Sequence, residues 1–275
     1  MSSIEVRPLK TDREFRACEE IQREIWGQLG CSAELLRVTQ KYGGVLLGSF
    51  RGREVVGFLF AFLARRRGKL IHWSHMMAIR EGFRDRGLGL RMKLLHRRLA
   101  LKQGLRSICW TFDPLESRNA FLNLVRLGAT VEEYAPDCYG DFPSAIEKGL
   151  PSDRFVANWR IASRGVEHAL QGKRPGLRLD PILHPVNETR LNARGFPENV
   201  RIHWNRSERQ VAVEIPAETD AMRSASLDLA RRWRIETRRI FQAYLAYGYR
   251  VTRFSRMAGT SGRCFYIMTG SRPHG

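Results

Sequence analysis

A mixed α/β fold is what this sequence predicts, and three observations predict it. Apolar strand-like runs such as EVVGFLFAFLA (54–64) and SICWTF (107–112) recur along the chain. Between them lie stretches whose apolar residues repeat at helical spacing, as Leu88, Met92, Leu95 and Leu99 do. The two kinds of stretch alternate in the order β-α-α-β-β-β-α-β-α-β-β, which calls for a mixed sheet flanked by helices. A smaller C-terminal α+β domain is expected beyond it.

IEVRPL (4–9) reads as a short strand, and Thr11 with Glu14 forms a capping box for a helix running to about Gly27. A second helix is expected from Ser32 to the Gly43–Gly44 pair. GVLLGSF and EVVGFLFAFLA form a hairpin about Arg51-Gly52-Arg53. The RRRGK turn (65–69) then leads into KLIHWSHMMAI (69–79). The helix over about 88–103 carries a second apolar stripe, Leu90, Leu94 and Leu101, so it is expected to be covered on both sides. SICWTF ends at Asp113-Pro114, a helix runs from about 117 to Gly128, and TVEEYA (130–135) and DRFVANWRI (153–161) are the last strands of the domain, 1–163.

Residues 164–200 lose periodicity and hold Pro175, Pro181, Pro185 and Pro197, the pattern of a linker or extended excursion. From 201 to 275, RIHWN, QVAVEI, a long helix (about 219–247), RVTRFSR and RCFYIMTG suggest ββαββ. One internal echo stands out: FLNLVRLGATVEEY (121–134) and FQAYLAYGYRVTRF (241–254) both place glycine seven residues after Phe. Any helix–Gly–strand unit shares some of this.

The composition is that of a folded, strongly basic protein: 275 residues, 43% apolar, formal net charge +19. The basic excess is spread over both halves. It fits an arginine-rich solvated surface, or an anionic ligand or partner, and charge alone does not choose. Five cysteines without a CxxC pair argue against a disulfide framework or a structural zinc site, and no metal is expected. The start MSSIEVRPLK has no apolar signal core, and the longest apolar run, 55–64, is too short for a membrane helix. A soluble, cytoplasmic protein is expected.

The stretch IREGFRDRGLGLRMKLL (79–95) places two glycines between a strand and a helix, among arginines. It is not a P-loop, and Met92 stands where a dinucleotide fingerprint needs its third glycine. What remains is R-x-x-G-x-G, Arg84 to Gly89. A helix start leaves unpaired N–H donors and partial positive charge, and glycines let an anion approach that backbone. The pattern suits a pyrophosphate, or it is an ordinary βα turn with glycines for chain geometry.

Residues 1–162 resemble the GNAT superfamily of acyl-CoA-dependent N-acyltransferases. The family's V-x-P-x-[YF]-R-[GD]-[KR]-G-[IL]-G run is similar to Ile79–Gly89, with Glu81 in place of proline, and the element order agrees. A closer similarity, to a bacterial subgroup of predicted acetyltransferases, rests on WTFDPLESRNAFLNLVRLGA (110–129), YAPDCYG (134–140), LPSDRF (150–155) and RRWRIETRRIFQAYLAYGYRVTRF (231–254). The resemblance implies acetyl-CoA or another acyl-CoA as co-substrate, with its pyrophosphate held by the backbone around Arg84, Arg86, Gly87, Leu88, Gly89 and Leu90. It implies that Met77 and Ile79 pair with the pantetheine arm. It also implies an acetyl or succinyl-type transfer to the amine of a small molecule such as an amino acid, by direct attack on the thioester.

Such a transfer needs a base for the amine and an acid for the thiolate. His75, four residues before Ile79, matches the second of two histidines on this strand in arylalkylamine N-acetyltransferases; Trp73 replaces the first. His72 has the opposite parity and faces the other side of the strand. The family's usual acid, a tyrosine, is missing: Leu124 stands there. Tyr139 is the substitute candidate. Asn119 is a candidate coenzyme contact, as Arg118 is more weakly, whereas Ser117 caps a helix and Cys109 is a buried small residue. On the C-terminal helix, Leu229, Trp233, Ile240, Tyr244 and Tyr247 make a buried face. Arg231, Arg232, Arg234, Arg238 and Arg239 make a solvated one, or one that meets phosphates, a carboxylated acyl group or acidic residues of the first domain.

The alternative reading is a non-catalytic basic binding module, an acyl-CoA sensor or nucleic-acid binder; acylation of protein or tRNA is a further variant. Nucleic acid and membrane are not expected partners. A homodimer is left open.

Overall fold

In the computed structural model, which describes residues 3–28, 30–140, 149–173, 185–204, 207–257 and 263–270, the first helix starts where the Thr11–Glu14 pair places it. Thr11 Oγ1 accepts from the Glu14 N–H and the Glu14 carboxylate accepts from the Thr11 N–H. The described residues divide into one unit within 1–110 and 160–163, and another within 111–141, 149–159 and 164–275.

The first unit carries β1 (Ile4–Pro8), α1 (Asp12–Trp26), α2 (Ala33–Lys41), β2 (Val45–Arg51), β3 (Glu54–Arg66), β4 (Lys69–Ile79), α3 (Leu88–Lys102) and the start of β5 (Ile108–Phe112). Its strands lie in the order β1-β2-β3-β4-β5. Pairing is antiparallel from β1 to β4 and parallel between β4 and β5, so the sheet is mixed. Arg67 and Gly68, both at positive φ, make the β3–β4 turn in the sense that matches strand twist. Two apolar layers sandwich this sheet. Phe50, Phe58, Phe60 and Ala78 pack with Phe15, Ile21 and Leu36 of α1 and α2. Val45, Leu47, Leu59 and Ala61 pack with Met92, Leu95 and Leu99 of α3.

The second stripe of α3 is not what the sequence suggests. Leu94 is exposed, and the side of α3 that is buried beyond Met92 is polar: Lys93 and His96, with Ala100.

The second unit holds α4 (Ser117–Ala120), which continues as a π-helical turn over Phe121–Arg126 instead of one regular helix to Gly128. It also holds β6 (Thr130–Ala135), β7 (Arg154–Trp159), α5 (Arg164–Leu170), β8 (Asn187–Leu191), β9 (Pro197–Ile202), β10 (Gln210–Ile215), α6 (Thr219–Ala225), α7 (Leu227–Ala246), β11 (Tyr249–Arg256) and β12 (Cys264–Gly270). The sheet order is β7-β6-β11-β12-β10, with β8 and β9 as a separate hairpin.

Residues 111–141 and 149–159, which the sequence assigns to an N-terminal domain ending at 163, therefore cluster with the C-terminal half. The cause is visible in the pairing of β6 with β11, and in Phe155 of β7 meeting Phe241 of α7 edge-on at 4.6 Å and Tyr266 of β12 at 5.3 Å. The expected 164–200 linker contains α5 and β8; its residues 174–184 lie outside the described residues. The expected 219–247 helix is two helices, because Ser226 leaves the helical conformation and caps α7 by accepting from the Leu229 N–H. The internal echo has a geometric counterpart. Val131 and Val251, each ten residues past the echoed phenylalanine, lie directly opposite each other where β6 and β11 pair antiparallel.

Candidate functional site

β4 leads into the glycine turn and α3 leads out of it. Beyond Ile79 the chain makes a single 3₁₀ turn, Glu81–Phe83, and crosses Asp85 at φ 61° and Gly87 at φ 71° before α3 begins. Gly87 is the N-cap residue, so no side chain caps the helix. The first helical bond runs from the Arg91 N–H to the Gly87 carbonyl. Leu88, Gly89 and Leu90 thus carry the N–H groups that an α-helix leaves unpaired within itself. There is no acidic residue in this first turn to offset the helix dipole. A Cβ placed on Gly87 would meet no atom of the described residues within 4 Å, so the space beside this glycine is open. A Cβ on Gly89 would lie 3.4 Å from Met77 Cε and 3.9 Å from Ile79 Cδ1. Gly89 is where the start of α3 lies flat against the end of β4.

The four arginines of the stretch are not equivalent. Arg80 is matched by carboxylates, with Nε and Nη2 each 2.9 Å from the Glu24 carboxylate and Glu54 at 3.5 Å. Arg84 instead donates to the Ile79 carbonyl (3.2 Å), Arg86 to the Gly82 carbonyl (3.0 Å) and Arg91 to the Ile4 carbonyl (2.7 Å). Carbonyls position these three guanidinium groups without cancelling their charge. The side chain of Arg86 also lies over the Phe83 ring.

β4 itself is irregular in the middle. Opposite β3, Ser74 pairs with Ala61 and Met76 with Phe60, which leaves His75 as an extra residue in a β-bulge. On its other edge, among the described residues, β4 pairs with β5 only at His72–Ile108 and Trp73–Cys109. From Ser74 to Ile79 that edge has no strand partner on the β5 side among the described residues, and the two expected pantetheine residues, Met77 and Ile79, lie along it.

The bulge changes which residues share a face. Counting by two puts His75 with Met77 and Ile79. In the structure Met77 and Ile79 face α3, whereas the His75 ring packs edge-on to Phe60 (5.9 Å) and against Phe62 (5.8 Å), on the face that α1 and α2 cover. The side chain is exposed, and the two phenyl rings desolvate it enough to lower its pKa below the ordinary imidazole value, so it is neutral at pH 7.

On the α3 face lies a buried polar cluster that sequence reasoning missed. Lys93 donates from Nζ to Ser74 Oγ at 3.0 Å and stands 3.7 Å from the Trp110 ring centroid. Burial pushes its pKa down to about 7. Next to it, His72 Nε2 faces the Gly43 carbonyl at 3.1 Å and so carries the hydrogen. His72 Nδ1 then accepts from His96 Nε2 at 3.0 Å, and His96 Nδ1 is left as a bare, buried acceptor with no hydrogen-bond partner among the described residues. Burial lowers the pKa of both rings. The one available signal was the i, i+3, i+7 spacing of Lys93, His96 and Ala100.

The remaining candidates belong to the second unit. Tyr139, half-exposed, lies 2.7 Å from Thr111 Oγ1 with Arg154 over its ring, and Asn119 is exposed on α4. Leu124 is buried in the π turn. Arg234 is not solvated. Its Nη1 and Nη2 hold both oxygens of Asp113 at 2.6 and 2.5 Å, and Arg238 holds both oxygens of Asp153 at 2.8 and 2.6 Å. Two arginines of the expected basic face thus meet acidic residues. Tyr247, expected on the buried face of α7, is exposed.

Among the described residues, no three or more His, Cys, Asp or Glu side chains gather as a metal site would require, and no helix is long and apolar enough to cross a membrane.

No family model matches the sequence, and no curated protein matches it. Solved structures are similar over part of the chain. A candidate acetyltransferase from Salmonella typhimurium, solved with its cofactor acetyl-CoA, has TM-score 0.48 and 18% identity, covering 59% of this chain and 96% of that one. The acetyltransferase of the GNAT family from Streptococcus pneumoniae has TM-score 0.46 and 14% identity, covering 57% and 98%. The ribosomal-protein-S18-alanine N-acetyltransferase from Escherichia coli has TM-score 0.46 and 12% identity, covering 58% and 96%.

Proposed function

We propose that this chain is an acyl-CoA-dependent N-acyltransferase of the GNAT type. The observation that carries this reading is the start of α3: uncapped N–H groups behind a left-handed glycine, open space beside that glycine and no acid in the first turn. Arginines anchored on carbonyls stand beside it. That combination favours a doubly charged pyrophosphate over a neutral ligand.

Leu88, Gly89 and Leu90 donate to the phosphate oxygens, and Arg84 and Arg86 supply neutralising charge. The free edge of β4 at Met77 and Ile79 offers main-chain groups to the amides of the pantetheine arm, which brings the thioester toward the bulge. The acyl thioester supplies an activated carbonyl there.

His75, neutral at pH 7 and exposed at the bulge, takes the proton of the acceptor ammonium. Tyr139 is the proton donor to the departing thiolate in this reading, and Asn119 a coenzyme contact. The acceptor is the amine of a small molecule such as an amino acid, and the acyl group acetyl or succinyl-type, as the resemblance implies. Release of free CoA from acetyl- or succinyl-CoA, followed across amino acids, N-terminal peptides and aminoacyl-tRNA, tests this. Turnover with amino acids is expected. Turnover confined to peptides or tRNA would replace the acceptor class, and no turnover with tight coenzyme binding would leave a sensor.

A further inference from the structure

Ser74 and Lys93 form a pair that the acyltransferase reading does not use. Lys93 Nζ lies 3.0 Å from Ser74 Oγ, within the range for a nucleophile and its base. The Trp110 ring, 3.7 Å from Nζ, covers the amine and fixes its direction. The lysine is 2% exposed and Ser74 is buried as well. Burial alone sets the Lys93 pKa near neutrality, so a large share of the molecules hold a free amine that can accept a proton. The neighbouring titratable groups, His96 on the same helix and His72 on β4, are themselves held neutral by burial.

The place is also distinctive. Ser74 is the first residue of β4 past its last pairing with β5 and the last before the bulge. The next residue, His75, has no cross-strand partner on β3. A backbone N–H of the residue after a nucleophile is a common oxyanion donor.

We propose that Ser74 and Lys93 form a serine–lysine dyad that takes the acyl group of a thioester onto Ser74 and passes it to water when no amine is present. The proposal rests on the reading that an acyl thioester lies along β4, and it adds a hydrolytic activity to that site. Lys93 Nζ takes the Ser74 hydroxyl proton as Oγ attacks the thioester carbonyl. The C–S bond breaks, and the thiolate leaves as thiol with the proton from Lys93. Water then attacks the serine ester while Lys93 takes its proton and returns it to Oγ, which releases the carboxylic acid and the free enzyme.

The test uses the full chain with acetyl-CoA and, separately, with p-nitrophenyl acetate, which needs no coenzyme site. Each reaction is quenched in acid and read by intact mass and peptide mapping, with and without hydroxylamine. The expected result is one acetyl group on Ser74, removed by hydroxylamine as an ester is. Ser74→Ala removes it, Ser74→Cys retains an adduct as a thioester, and Lys93→Met slows its formation about 100-fold. Calorimetry with CoA separates the two readings: an adduct from the aryl ester without CoA binding supports the dyad and removes the coenzyme. No adduct from either acyl donor overturns the dyad even where CoA binds. Acetylation of Lys93 as a hydroxylamine-resistant amide overturns it too, as does an adduct that survives Ser74→Ala.

Discussion

Arg234 on α7 grips Asp113, just past β5, through two parallel hydrogen bonds, at 2.6 and 2.5 Å, although 121 residues separate them. The Arg234 side chain is 2% exposed. Burial works against its charge, but the Asp113 carboxylate outweighs that and keeps it protonated. Asp113 also accepts from the Leu115 N–H, which shapes the turn out of β5.

Removing one member of such a pair leaves a buried charge alone, a loss of roughly 3–5 kcal/mol. Arg234→Ala and Asp113→Ala are each expected to lower the unfolding free energy by that amount, read as a fall in the denaturant midpoint at unchanged m-value. The double variant should be less destabilised than the sum of the two. Strict additivity in urea titrations would show that the pair is not coupled.

The buried bases of α3 and β4 set the direction of the pH dependence. Lys93 titrates near 7 when folded and near 10.5 when unfolded, and the His72 and His96 values are also lowered on folding. A base with a lowered folded pKa is bound to fewer protons in the native state, so stability rises with pH. For Lys93 the penalty is fully present below about 7 and fades between about 7 and 10.5. Lys93→Met removes it while keeping most of the volume. We expect a stabilisation of a few kcal/mol at pH 7, and a shallower rise of Tm between pH 7 and 10. An unchanged slope would mean that Lys93 is solvated.

His75→Ala should slow turnover at pH 7 by about 10²–10⁴-fold and leave the affinity for CoA as it was. In the wild type, turnover should fall on acidification only below the ordinary imidazole range, because desolvation lowers the folded pKa. Wild-type turnover in His75→Ala would assign the proton transfer to another group.

Gly89→Ala separates stability from binding. Its Cβ would sit 3.4 Å from Met77 Cε, an ordinary contact, and alanine is favoured over glycine in a helix by about 1 kcal/mol. The variant should melt slightly higher than wild type and bind CoA more weakly, since the methyl group screens the first-turn N–H groups. Higher Tm with unaltered affinity would place the phosphates elsewhere.

Much of this architecture is legible in the residues themselves. The capping box at Thr11, the hairpins about Gly52 and Gly68, and the glycine turn before α3 are local signals that local geometry obeys. Of the candidate site, the local backbone is legible: the glycine turn between β4 and α3 forms where Gly87 and Gly89 place it. Other features depend on partners distant in sequence. The bulge at His75 has no glycine or proline to announce it, so counting by two along β4 misplaces the histidine. Nothing in the sequence marks Lys93 and His96 as buried, because their covering residues, Ser74, Trp110 and His72, lie on strands distant in sequence. Arg234 reads as one of a basic stripe, and only the fold brings Asp113 to it.

Calorimetric titration of CoA into wild type and Gly87→Glu tests the central claim most directly. Gly87 sits at φ 71° with free space around it, so the substitution costs about 1 kcal/mol of backbone strain and adds a carboxylate where the phosphates would lie. Wild type is expected to bind and the variant to show no binding heat, with superimposable circular dichroism. Equal affinity in the two proteins, or no binding by wild type, would contradict the account.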